Sequence, residues 1–186
     1  MSEQNVPSIP ARVLSFVRSN LLTIGLLAVF LGILIYQRVP LYLENRKRIN
    51  LPAPEIRLKT LAGKEYKLSA EKGKFVVLNF WATWCLPCRL EIGSLKSLYG
   101  ELQGPKFEMY AVTHENPETV RNFLKSNPVN YPVLIDSIGQ AHRDYRIRVF
   151  PTFVHVGPDG RITDISSGMD FFLKWKLRYR VQGRIF

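Results

Sequence analysis

The chain has 186 residues, 46% of them hydrophobic and 22% charged, a composition that excludes a disordered chain and supports one folded domain with a real core. Its two cysteines exclude a disulfide-rich scaffold, and the lack of a second CxxC pair or a nearby histidine pair argues against structural zinc. The net charge of +11 is spread along the chain; it suits anionic headgroups or an acidic partner, and no helix-turn-helix or aromatic RNA-binding pattern supports nucleic acid.

From Leu21 to Tyr36 the chain reads LLTIGLLAVFLGILIY, and no charge falls between Arg18 and Arg38. At about 1.5 Å per residue this uncharged stretch reaches about 28 Å, close to the hydrocarbon thickness of a bilayer. A buried core helix would show a polar face, and here only Thr23 interrupts the apolar surface. Signal-peptide cleavage wants small residues after the apolar run, whereas QRVPLYLENRKR offers bulky and charged ones. The segment 21–37 therefore reads as an uncleaved transmembrane anchor in contact with membrane lipid, after a short tail (1–20) and before a basic juxtamembrane linker (38–50). Orientation is contested by two signals. Arg38, Arg46, Lys47 and Arg48 after the span outnumber Arg12 and Arg18 before it, which favours a cytoplasmic carboxyl side. The short amino-terminal tail resembles a signal-anchor, which favours the opposite.

The folded part, 51–186, opens on PAPEIRLKTLAGKEYKL, where alternating Ile56 and Leu58 and the turn-like AGK predict a short β-hairpin. FVVLNFW, Phe75 to Trp81, is an apolar run suited to a strand buried on both faces. Ile92, Leu95, Leu98 and Leu102 recur at helical spacing, so a helix follows directly. FEMYAVT, Phe107 to Thr113, predicts another strand; Asn116 and Pro117 then cap and open a helix carrying Val120, Phe123 and Leu124. PVLID, 132–136, is a further short strand before the helix-like GQAHRDY. TFVHVGPDGRITDI reads as a hairpin about GPDG, and MDFFLKWKLRYR as a terminal helix. Strands alternating with helices and a closing hairpin give an α/β fold, a mixed β-sheet flanked by helices.

FWATWCLPCRLE, from Phe80 to Glu91, holds both cysteines. A strand before and a helix after put Cys85 at a helix amino end, where unpaired N–H groups and the helix dipole favour a thiolate. Cys88, one turn on, is close enough to close a disulfide on Cys85 and to resolve a mixed disulfide. Pro87 needs no N–H bond in the first turn and stiffens the loop. Trp81 and Trp84 either flank the site as an apolar collar or belong to the core. Covalent haem attachment is excluded because Arg89 stands where CxxCH requires histidine. A disulfide closing so short a loop restricts the unfolded chain little, so redox chemistry explains it better than stability. His114, His142 and His155 are scattered, read as surface or satisfied histidines rather than ligands. In the terminal run, Lys174, Lys176, Arg178, Arg180 and Arg184 are read as solvated charges on a helix that packs its aromatics on the sheet.

The motifs APEIRL with LAGK, LNFWATWCLPCRLE and RVFPTFVHVGPDGRI, in this order over roughly 51–170, resemble the thioredoxin superfamily and, within it, the membrane-anchored disulfide reductases of the TlpA and ResA type. The resemblance implies a thioredoxin-like fold, Cys85 as nucleophile and Cys88 as resolving thiol. Pro151 matches the family's cis-proline opposite the CxxC, with Phe150 presenting backbone groups to an extended substrate; Trp84, Leu86 and Pro87 complete the expected substrate-contacting set. Asn79 departs from the buried aspartate of thioredoxin proper, and Glu91 matches a glutamate lining the ResA-type site, a candidate proton carrier for the thiols. No cofactor is implied beyond the redox-active Cys85–Cys88 disulfide. The implied partners are a disulfide-containing exported protein, such as apocytochrome c, and a membrane thiol electron donor, with the domain facing the periplasm or cell exterior from the inner membrane. Leu86 and Pro87 lack the histidine between the cysteines of strongly oxidising relatives, which favours a reductase. A disulfide-forming oxidant, or a redox-inactive binding module on the same groove, is the alternative. A peroxiredoxin-type peroxidase fits less well, because Asn79 stands where the PxxxTxxC pattern, counted from Thr83, needs proline.

Overall fold

The computed structural model describes residues 19–170 and 172–181. Arg12 and Arg18 of the tail and Arg184 of the terminal run lie outside the described residues. The chain divides into two compact units, Met1–Glu44 and Asn45–Phe186.

Helix α1, Leu21–Arg48, is long and apolar enough over its first part to be a candidate membrane span. The segment expected as a linker from 38 is helical through Arg48, with Pro40 inside the helix. Leu41, Leu43, Glu44 and Arg46 are good helix formers, and Arg46, Lys47 and Arg48 in the last turn complement the negative end of the helix dipole.

The second unit is built on strands β1 (Arg57–Thr60), β2 (Glu65–Lys67), β3 (Phe75–Phe80), β4 (Phe107–Thr113), β5 (Val133–Ile135), β6 (Thr152–Val156) and β7 (Ile162–Ser167). The helices are α2 (Leu86–Leu102), α3 (Pro117–Ser126), α4 (Gln140–Asp144) and α5 (Leu173–Val181), with a short 3-10 turn at Leu68–Glu71. The strands form one mixed sheet in the order β2-β1-β5-β4-β3-β6-β7. β3, β4 and β5 run parallel, joined by the crossover helices α2 and α3, while the flanking pairs are antiparallel. Central β3 is buried at all six positions, as a parallel strand covered on both faces must be.

Side chains alternate across this strand. Phe75 and Val77 enter a core with Leu95, Leu98 and Leu102 of α2, Val120 of α3 and Leu173 and Leu177 of α5. Val76, Leu78 and Phe80 enter a second core on the other face with Ala141 and Tyr145. The chain reaches the sheet alongside β7: Asn45 Nδ2 donates to Ser167 Oγ (3.3 Å), and Asn50 N donates to the Ile162 carbonyl (2.8 Å).

The terminal helix corrects one expectation. Leu173 and Leu177, four residues apart on one face, are buried on the sheet. Trp175 (64% exposed) and Tyr179 instead stack on each other facing solvent. The basic residues are partnered rather than merely solvated: Lys176 with Asp170 (2.8 Å), Arg178 with Glu101 (2.5 Å) and Arg180 with Asp164 (3.4 Å). Arg180 Nη1 also lies 3.1 Å from Nδ1 of the buried His155, whose burial holds its pKa below the ordinary histidine value.

Candidate active site

β3 ends at Phe80, and one more sheet bond, Trp81 N to the Val112 carbonyl (3.0 Å), fixes where the chain leaves the sheet. The next residues turn and deliver Cys85 to the N-cap of α2. Its Sγ accepts a hydrogen bond from Cys88 N (3.3 Å), the capping geometry that serine or aspartate usually supplies. Pro87 lies in the first turn, where its missing N–H costs nothing. Cys85 and Cys88 are bonded to each other with Cα atoms 5.3 Å apart, and each residue is 4% exposed. Around this disulfide Trp84 (68% exposed), Leu86 and Leu90 stand in solvent. Three exposed apolar side chains beside a reactive bond form a surface suited to a polypeptide rather than a small polar ligand. Trp81 goes the other way, into the core against Phe123 (ring centroids 5.6 Å).

The loop before β6 supplies the facing wall. The Phe150–Pro151 peptide bond is cis. The Phe150 ring meets Trp84 edge-on at 5.7 Å, so the sequence-distant residues 84 and 150 share one surface.

Glu91, one turn beyond Cys88, is half-buried. Its Oε1 accepts from Asp170 N (3.2 Å), while Oε2 is buried with no hydrogen-bond partner among the described residues. Burial is the main cause that raises its pKa to about 7; the Asp170 amide bond opposes this and the Asp170 charge adds to it. A cavity of about 410 Å³ lies beside it, between Leu90, Leu95, Met169 and Leu173. A carboxyl that gains and loses a proton near neutrality suits acid-base work. Asn79 is buried on β3 and offers no titratable group.

Two further features were not read from the sequence. The Glu115 carboxylate takes hydrogen bonds from Thr83 N (2.6 Å) and Thr83 Oγ1 (2.7 Å), clamping the turn that carries Cys85. These residues are 32 apart and meet only because β4 lies beside β3. His114 and His142, read as scattered, come together with ring centroids 4.7 Å apart, and both rings contact Phe150. His142 is oriented by the fully buried Asp136, whose Oδ2 accepts from its Nδ1 (2.7 Å) and its backbone N (3.0 Å). Burial opposes ionisation of Asp136, but the hydrogen bonds from His142 and from the Ala141 backbone outweigh it and hold the pKa below the ordinary value. Among the described residues no group of three side chains could hold a metal ion.

Residues 49–165 match the AhpC/TSA family. The thiol-disulfide oxidoreductase ResA of Bacillus subtilis is 34% identical over 154 residues, covering 82% of this chain and 84% of its own. Among solved structures, the thioredoxin domain of a thiol-disulfide oxidoreductase from Bacteroides vulgatus superposes with a TM-score of 0.65 at 25% identity, over 72% of this chain and 97% of that one. StoA from Bacillus subtilis gives a TM-score of 0.59 at 26% identity, over 69% of this chain and 96% of its own.

Proposed function

Since the chain belongs to the AhpC/TSA family and is a thioredoxin-like thiol-disulfide oxidoreductase of the ResA type, we propose that it reduces disulfides of exported proteins while held at the cell membrane. The observation that carries this reading is the Cys85–Cys88 disulfide at the amino end of α2, rimmed by exposed apolar side chains. In the reduced protein the helix amino end favours the Cys85 thiolate. This thiolate attacks one sulfur of a substrate disulfide, forming a mixed disulfide and expelling the other substrate sulfur as a thiolate. Cys88, deprotonated, then attacks Cys85 Sγ; the second substrate sulfur leaves, and the Cys85–Cys88 bond closes with the substrate reduced by two electrons. Glu91 takes the Cys88 proton or returns one to the leaving sulfur, a role its pKa near 7 supports.

Trp84, Leu86, Pro87 and Phe150 hold the extended substrate, with the chain at Pro151 lying along it. Apocytochrome c, or another exported cysteine protein, is the substrate class, and a membrane thiol carrier restores the dithiol. Helix α1 anchors the protein in the inner membrane through 21–37, with the domain on the periplasmic or exterior side.

The test is single-turnover reduction of a disulfide-bonded polypeptide by the reduced chain. Stoichiometric reduction, lost in Cys85→Ser, supports the reading. Consumption of hydrogen peroxide without polypeptide reduction would replace it with a peroxidase.

A further inference from the structure

A groove of about 750 Å³ lies at the β1–β2 edge of the sheet, away from the cysteines in sequence. Its lining includes Arg57, Lys59, Lys67 and Arg121, all exposed, and among the described residues Glu65 is the only acidic one in the lining. Arg57 stands directly opposite Lys67 in the strand register, a like-charge pair that destabilises a sheet when uncompensated. Arg57, Lys59 and Lys67 make no side-chain ion pair or hydrogen bond with any described residue. This contrasts with α5, where three of the cations meet carboxylates. Leu61, Ile135 and Ile138 give the same groove an apolar floor and rim.

The register locates this groove relative to the disulfide. Phe80, Val112, Leu134 and Thr60 form one row across β3, β4, β5 and β1. β1 runs antiparallel to β5, so Lys59 and Arg57, before Thr60, lie beyond this row toward the end of the sheet where β3 runs out at Phe80 into the turn that carries Cys85. The cations and the cysteine loop therefore lie at the same end of the sheet, three strand spacings apart. At about 4.8 Å per spacing that is about 14 Å, the length of roughly four extended residues. The Glu115 carboxylate, beside the cysteine loop, is occupied by Thr83.

Building on the reading of a polypeptide disulfide reductase, we infer that this cationic groove is an exosite for acidic residues of the protein substrate, about four to six positions from its reacting cysteine. An extended chain crossing the sheet end from Cys85 reaches Arg57, Lys59 and Lys67 with its acidic side chains, while its apolar ones rest on Leu61 and Ile138. The concave, partly apolar shape fits a peptide strand. Two or three solvent-screened ion pairs of this kind give about a tenfold advantage to an acidic over a neutral flank at low salt.

The experiment uses the full chain, reduced, in a neutral detergent, with synthetic peptides carrying one disulfide and a flank of aspartates, serines or lysines four to six residues from the cysteine. The expected kcat/KM order is acidic, neutral, basic, with the acidic-to-neutral ratio about ten and collapsing toward one in 0.5 M salt or in Arg57→Ser/Lys59→Ser/Lys67→Ser. The reversed variant Arg57→Glu/Lys67→Glu is expected to prefer the lysine flank. Equal kcat/KM for all three flanks overturns the exosite and leaves the oxidoreductase reading standing. Failure to reduce any of the peptides overturns the reductase reading and the exosite with it. Weaker binding of the triple-serine variant to anionic lipid vesicles, with no discrimination among peptides, assigns the cations to the membrane surface and also overturns the inference.

Discussion

Replacing Glu91 by Gln separates the proton at this site from the packing around it. With a pKa of about 7 against an ordinary 4.5, the folded protein holds a proton on Glu91 that the unfolded chain has already released over that interval. Stability from this group is thus complete below about pH 4.5 and is lost as pH rises through about 7. At about 1.4 kcal/mol per tenfold change in proton affinity the full loss is about 3 kcal/mol, and partial exposure of the carboxyl reduces it to about 1–2 kcal/mol between pH 5 and 8. Glutamine keeps the acceptor for Asp170 N and cannot ionise, so Glu91→Gln carries a fixed cost at every pH and no such slope. The assay is urea unfolding of the oxidised unit Asn45–Phe186 at pH 5, 6, 7 and 8 for both proteins. The difference between them is expected to move in favour of the variant by about 1–2 kcal/mol from pH 5 to pH 8. A difference that stays constant across this range refutes the argument that burial raises the Glu91 pKa. Unchanged cysteine thiol pKa values and exchange rates in the same variant refute its role as a proton carrier.

Other perturbations test the remaining parts of the site. Cys88→Ser is expected to accumulate a mixed disulfide between Cys85 and a polypeptide substrate, seen by non-reducing electrophoresis, whereas Cys85→Ser accumulates none. Glu115→Gln weakens the two bonds to Thr83, each of which involves a charged acceptor, and is expected to lower stability by about 1–3 kcal/mol in urea unfolding. Trp84→Ala and Phe150→Ala remove the paired rings and are expected to raise KM for polypeptide disulfides several-fold with a smaller effect on exchange with glutathione, measured by stopped-flow fluorescence. Burial keeps His155 neutral in the fold, so acid conditions below about pH 6.5 favour the unfolded chain; His155→Gln is expected to flatten that acid limb in a pH series of urea midpoints.

What the sequence discloses divides by range. The Cys85 cap and Pro87 in the first turn are local features of one helix start, so spacing places them, whereas Glu91, one turn past Cys88, is singled out by the family resemblance and only permitted by the spacing. β3 is legible because burial on both faces leaves an unbroken apolar run. The hairpin about GPDG is legible because turn residues punctuate two alternating segments. Glu115 is not legible, since a glutamate after a strand has no mark until β4 pairs with β3 and brings it to Thr83. The contact of His114 with His142 likewise depends on the β4–β5 pairing and the turn into α4. In α5, cations at every second position blur the 3.6-residue period, so the pairing of Leu173 with Leu177, rather than of the aromatics, emerges only from packing. Pro151 is an ordinary X-Pro by composition; its place against the active site comes from family resemblance and from the contact between Phe150 and Trp84.

The central claim is that this dithiol donates electrons to protein disulfides. Its most direct measurement is the reduction potential of the Cys85–Cys88 pair in the Asn45–Phe186 unit, equilibrated with defined thiol buffers. A reductase has a value near or below that of thioredoxin, about −270 mV, and this is the expected result. A value near about −120 mV would contradict it, making the protein an oxidant that introduces disulfides into its substrates.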